Sequence, residues 1–361
     1  MKKQFILLLI NTFFSVSYGQ KTTLTIFDKT DTFIEETIDS LQIVGLNYAV
    51  LQDGKLLHAK AFGTASLQLD VTMTLQHSFP VASISKLFSS VALHKLLLQH
   101  QRSVNETVAD FLPSRKDLPE SWRLLTLKQL LSHTSGIPDQ IDYGIFLAPK
   151  SDAYVIEAMK NKPFSASPGT ESKYNATGFL LVRMIFEKLA GQDFEAYMHK
   201  HYFEALNMPS AVYGGFKKVV SNRVSCYQNN QGDFELFPLN YAALMFAGAG
   251  LNINIQDLIK WFQAVYNNSI LDEKQLDTVW TPVRLQNGQY GTFGLGWEAA
   301  VLQGGFRMVG HGGAGISSLR HYWNTKTKQN FTVIVLTNGA MHWKLSPHQI
   351  NTQIANMLLA E

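Results

Sequence analysis

Phe79-Pro80-Val81-Ala82-Ser83-Ile84-Ser85-Lys86 is the stretch on which the reading of this 361-residue chain turns. It holds the only Ser-x-x-Lys in the sequence, and Leu87, Val91, Leu93 and Leu97 recur at helical spacing directly after it. At the start of a helix, residues three apart share a face, so Ser83 and Lys86 sit side by side. The positive end of the helix dipole disfavours an ammonium at Lys86 and favours negative charge developing on a group attacked by Ser83. A serine hydroxyl is a weak nucleophile until something takes its proton, and a neutral lysine can take it. The same residues also describe a plain helix cap beside a solvated lysine, so the motif alone does not decide.

Outward from this point the chain changes character on both sides. Val44 to Phe62 reads as two paired strands around Asp53-Gly54, a dipeptide suited to a tight hairpin turn. After Lys86 come helical periods: one capped at Thr126 and carrying Leu127, Leu130 and Leu131, one through Phe179, Val182, Met184 and Phe186 that stops at Gly191, and one over Ile255 to Tyr266. β-branched and aromatic runs return at Phe306–Val309, Ser317–Trp323 and Phe331–Leu336, and Ser346 to Leu359 closes as a helix. The pattern predicts an α+β fold. One antiparallel sheet is built from both chain ends (about 24–82 and 286–361), helices flank it, and a mainly helical lobe (about 83–285) is inserted.

Composition narrows the classes. Lys2 and Lys3, the apolar run Phe5 to Phe14 and the small-residue exit at Ser17-Tyr18-Gly19 have the layout of a secretory signal over residues 1–19, leaving 20–361 as the folded domain. The expected location is secreted or periplasmic, with no stable membrane insertion once the signal is removed, since no later run is apolar enough to span a bilayer. A formal net charge of +3, two units of it at Lys2 and Lys3, gives no reason to invoke nucleic acid. Cys226 is the only cysteine and reads as a small buried side chain. No His-Glu-x-x-His, phosphate loop or dinucleotide fingerprint is present. His199 and His201, two apart on a helix, point to different sides, so no metal site is expected.

The stretch Leu125-Thr126-Leu127-Lys128-Gln129-Leu130-Leu131-Ser132-His133-Thr134-Ser135-Gly136-Ile137-Pro138 resembles a signature of the β-lactamase-related serine hydrolases. That penicillin-recognising family includes class C β-lactamases, DD-peptidases, D-aminopeptidases and family VIII esterases. Further matches follow in order from about Val44 to Asn338: the first hairpin (Asp53-Gly54-Lys55, Ala61-Phe62-Gly63), the nucleophile segment Phe79 to Lys86, Tyr174 to Gly191, Phe293-Gly294-Leu295-Gly296-Trp297, Gly310-His311-Gly312-Gly313 and Leu336-Thr337-Asn338.

The resemblance implies acyl transfer without a cofactor. Ser83 would be the nucleophile, Lys86 and Tyr174 would share the proton work, and the backbone N–H groups of Ser83 and Ala314 would hold the oxyanion. His311, Gly312 and Gly313, and Gln140 across the cleft, would face a small-molecule or peptide substrate. Two departures stand out. Ala176 occupies the position of the family's motif asparagine, with Asn175 one residue away, and His311 stands where class C β-lactamases carry lysine. Both lean toward an ester or a D-amino-acid amide rather than an efficiently hydrolysed β-lactam. His133 is expected to be structural. A catalytically silent receptor of the same fold is the rival reading, and the sequence leaves the oligomeric state open.

Overall fold

A computed structural model describes residues 25–139, 151–214, 218–339 and 346–360. The expected export segment and Gln140 lie outside the described residues. At the N-terminal end, β1 (Gly45–Gln52) turns into β2 (Lys55–Ser66) through Asp53 and Gly54, both at positive φ (49° and 70°), as the tight hairpin requires. β3 (Val71–Thr72) pairs with β2. In the middle of the chain, β4 (Ser78–Pro80), β5 (Val212–Tyr213) and β8 (Leu251–Asn254) form a small sheet, and β6 (Tyr227–Asn230) and β7 (Asp233–Leu236) form a separate hairpin. β9 (Glu298–Val301), β10 (Phe306–Gly313), β11 (Ser317–Asn324) and β12 (Asn330–Thr337) follow late.

The main sheet has the order β3-β2-β1-β12-β11-β10-β9. Every neighbouring pair in it is antiparallel, and Leu46 on β1 faces Thr337 on β12, so the two chain ends meet in the middle of the sheet. This is the α+β arrangement that the strand periods predict.

Strand period sorts the side chains. Leu46, Tyr48, Val50, Val333 and Val335 face one way and pack with Ile34 of α1 (Ile26–Leu41) and with Ile350 and Ile354 of the closing helix. Ala49, Leu51, Ile334 and Leu336 face the other way into the larger core. There they meet α2 (Ser85–Gln99), α3 (Leu127–Leu131), α4 (Thr177–Ala190) and α5 (Ile255–Tyr266). The closing helix, α6, spans Pro347–Leu359 and is capped by Ser346. Helix ends follow local chemistry: Thr126 and Gln129 form a reciprocal capping box, and Gly191 ends α4 in the left-handed conformation. Among the described residues no helix is long and apolar enough to cross a membrane.

α2 is enclosed on nearly all sides, with eleven of its fifteen residues buried, so its N-terminus is held fast in the core while Ser83, just before it, stays partly exposed at a cleft. Its serines bond to backbone carbonyls; Ser89 Oγ, for example, donates to Ala247 O at 2.6 Å. The segment before α2 is clamped by the sheet. Ser317 Oγ donates to Val81 O at 2.9 Å, and a Cβ added at Gly313 would stand 2.3 Å from that same carbonyl oxygen. Only glycine lets β10 pass this close to the backbone two residues before Ser83.

Candidate active site

The α-helix proper begins at Ser85, two residues later than the sequence period indicates. Ser83 occupies a single 3-10 turn, Ala82–Ile84, with Ala82 at φ 45°. A non-glycine residue in that region stores local strain and persists only where its surroundings over-determine it. Here β10, β11 and the start of α2 provide those surroundings.

Two side chains converge on Ser83 of this turn. Lys86 Nζ lies 3.1 Å from Ser83 Oγ, and Tyr174 Oη lies 2.7 Å from it. Lys86 Nζ also donates to Gly248 O at 2.9 Å and sits about 5 Å from the ring centres of Tyr174 and Phe179. The lysine is 2 % exposed, and burial lowers its pKa to about 7; the negative charges of Asp139 and Glu298 pull against that shift. Near neutral pH a large share of Lys86 is therefore the free amine. With one N–H held by Gly248, its lone pair is available to the Ser83 hydroxyl proton.

Tyr174 immediately precedes the turn into α4, and its ring rests on His133 with centroids 4.5 Å apart. His133 is buried, burial holds its pKa well below the usual histidine value, and its Nδ1 accepts the Asn175 N–H at 3.1 Å. It is a neutral wedge beneath the tyrosine, with no bond to Ser83. Asn175 does not stand in for the missing motif asparagine. Its amide nitrogen donates to Ile137 O and its oxygen accepts from Gly178 N, each at 2.7 Å, so the side chain is committed inside the fold. Ala176 lines the cleft with a methyl group alone.

The cleft has a volume of about 620 Å³ and brings Ser83, Lys86, Tyr174, His311 and the Gly312–Ala314 backbone together. Ala314, at φ 43°, follows the end of β10 directly across from the Ser83 turn. His311 is 2 % exposed, and burial lowers its pKa to about 4 although Glu298 pulls the other way. Cys226 is buried away from this cleft, and burial pushes its thiol up to about 12, which makes it inert at neutral pH. His199 pairs with Glu204 and His201 stacks on Tyr197, so these two histidines face separate neighbours.

Three charged residues of the cleft were not singled out by the sequence. Asp139 follows Pro138 directly, and its Oδ1 accepts from Ala176 N, Thr177 N and Thr177 Oγ1, capping α4 from a distant loop. Glu298 follows Trp297 directly, and its carboxylate lies 2.5 Å from Arg320 Nη2. Burial pushes the Glu298 carboxyl up, but the neighbouring His311, the Arg320 guanidinium and the Gly312 N–H outweigh it and hold its pKa below the usual range. Arg320 was legible in one respect: a lone arginine within the apolar, aromatic run of a central strand requires a buried partner.

The chain is 23 % identical over 343 residues to the protein flp of Staphylococcus aureus (strain MW2), covering 90 % of this chain and 66 % of that one, so it spans just under two thirds of that relative's length. An octameric penicillin-binding protein homologue from Pyrococcus abyssi superposes with a TM-score of 0.77 at 24 % identity, over 93 % of this chain and 78 % of that one. EstCE1, a hydrolase with promiscuous acyltransferase activity, superposes with a TM-score of 0.75 at 17 % identity, over 92 % and 98 % of the two chains. The Beta-lactamase family pattern itself runs from residue 30 to residue 345, through the sheet, the Ser83 turn and the β10 edge alike, and the chain belongs to that family.

Proposed function

We propose that this chain is a serine hydrolase that forms an acyl-enzyme at Ser83 on an ester or a D-amino-acid amide. The observation that carries the reading is the position of Ser83 Oγ, within hydrogen-bond distance of both a buried lysine whose pKa is lowered to about 7 and a tyrosine hydroxyl. Ser83 Oγ attacks the carbonyl carbon while Lys86 Nζ takes its proton. The oxyanion is held by the backbone N–H groups of Ser83 and Ala314, two fixed donors that stabilise charge appearing in the transition state. Tyr174 passes the proton to the leaving atom, and water releases the acyl group by the same route in reverse. Ala176 presents no hydrogen-bonding side chain, and Asn175 is turned away, which favours esters over β-lactams.

A fluorophosphonate probe should label the purified protein at Ser83, mapped by peptide mass spectrometry, and p-nitrophenyl acetate should turn over faster than nitrocefin. Absence of label at Ser83, together with full hydrolysis by Ser83→Ala, would place the chemistry elsewhere. The N-terminal segment supports the further proposal that the protein is exported. N-terminal sequencing of material from the native host should then begin near Gln20, and a cytosolic chain still starting at Met1 would refute it.

A further inference from the structure

At the end of the sheet farthest from Ser83, the helices stop short of covering the strands. β10 runs from Phe306 to Gly313, so at about 3.3 Å per residue Arg307 lies about 20 Å from the glycine that touches the Ser83 segment. Register places Val301 on β9, Arg307 on β10, Trp323 on β11 and Asn330 on β12 in one row across four strands. The next row inward, Ala299, Val309, His321 and Thr332, is buried. In the outer row Val301 and Arg307 are exposed and Trp323 is partly so.

The helix Glu273–Trp280 stands opposite this row, and Glu273, Asp277 and Trp280 fall on one of its faces. Between helix and sheet run two cavities of about 710 and 410 Å³; Asp277, Trp280, Arg307 and Trp323 border both, so they form one groove. None of the residues lining it lines the catalytic cleft. The floor is aromatic. The ring centre of Trp323 is 5.7 Å from that of Trp280 and 5.5 Å from that of His321, which it stacks on, and Tyr266 packs on His321 in turn. Burial lowers the His321 pKa to about 3, so that ring is neutral.

The walls are charged. Glu273, Asp277, Lys274, Arg307 and Lys328 line the larger cavity, and among the described residues none of these side chains makes a hydrogen bond or an ion pair. Opposite charges that line one groove without pairing offer both donors and acceptors to whatever enters. Three cations and two carboxylates nearly cancel, so there is little net field to select an ion. A saccharide meets this combination. Its C–H faces are apolar and pack on aromatic rings, while each hydroxyl is both donor and acceptor and can use carboxylate and guanidinium together. Rings with equatorial substituents joined by β-1,4 bonds are flat and extended, which suits a groove with an aromatic floor.

We propose that this groove is a noncatalytic binding site for an extended, uncharged β-1,4-linked saccharide chain, stacked on Trp280 and Trp323 and hydrogen-bonded by Asp277 and Arg307. The site is independent of the chemistry at Ser83 and would hold the chain on a carbohydrate surface.

The test titrates cellohexaose and chitohexaose into the purified protein, with tryptophan emission and calorimetry as readouts. Maltohexaose, whose α-1,4 bonds coil the chain, and the zwitterionic peptide tetra-alanine are the comparisons. At least one β-linked hexaose should bind saturably and shift the emission, with maltohexaose weaker by about tenfold or more. Trp323→Ala and Arg307→Ala should each weaken that binding by about tenfold or more. Arg307 is exposed, so its variant decides the matter even where loss of Trp323 unsettles the sheet. Ser83→Ala should bind the hexaose as wild type does, so failure of the nucleophile assignment is a separate result. Binding of neither β-linked hexaose, an equal response to maltohexaose, tighter binding of tetra-alanine, or hexaose binding that survives Arg307→Ala would overturn the proposal.

Discussion

At the scale of single residues, Lys86 carries the sharpest consequence. Its pKa is lowered to about 7, so the ammonium form dominates below that pH and cannot accept the serine proton. Ester kcat/KM should therefore rise with pH through a limb centred near 7 and level off above it. Asp139 raises the lysine pKa by its charge while capping α4 through Oδ1. Asp139→Asn keeps an oxygen in the capping position and removes the charge, so the limb should move to lower pH. A limb that stays in place, or moves upward, would show that another group controls the rate. The Ser83–Lys86 pair was legible because its geometry is local, three residues apart at a helix start. Ala82 was not: nothing in an alanine announces φ 45°, which arises from the sheet pressing on the turn.

At the scale of elements, the site depends on how loops grip helix ends. Asn175 joins the 137 loop to the first turn of α4 through two buried hydrogen bonds. Asn175→Ala leaves Ile137 O and Gly178 N without these partners, at a cost of about 1–3 kcal/mol. The urea unfolding midpoint should fall with an unchanged slope, because the surface exposed on unfolding is the same. If stability is unchanged and only KM for β-lactams or amides worsens, Asn175 faces substrate instead. Elements with local signals matched the sequence closely: the Asp53-Gly54 hairpin, the Thr126 cap, the Gly191 stop and the Ile255–Tyr266 period. What escaped was pairing across elements. Glu298, His311 and Arg320 lie on three adjacent strands, and their meeting depends on register, which no short window of sequence records.

At the scale of the whole molecule, the antiparallel α+β architecture was readable because strand periods cluster at both ends of the chain and helical periods between them. The position of β1 beside β12, in the centre of the sheet rather than at its edge, was not readable, since periods say which residues face inward and not which strands are neighbours. That arrangement governs the order of events in time. Leu46 finds its partner only when Thr337 has emerged from the ribosome, so the β1–β2 hairpin waits with one edge open through most of synthesis. Pairings this distant in sequence slow the search for the native state. Refolding from urea, followed by tryptophan fluorescence, should accordingly be slow, with phases of about a second or longer and a populated intermediate. Single-exponential recovery within milliseconds would contradict this. Until the last strand docks, the open edge of β1 is a template for pairing with other chains, so the yield of active protein should depend on chain concentration during refolding.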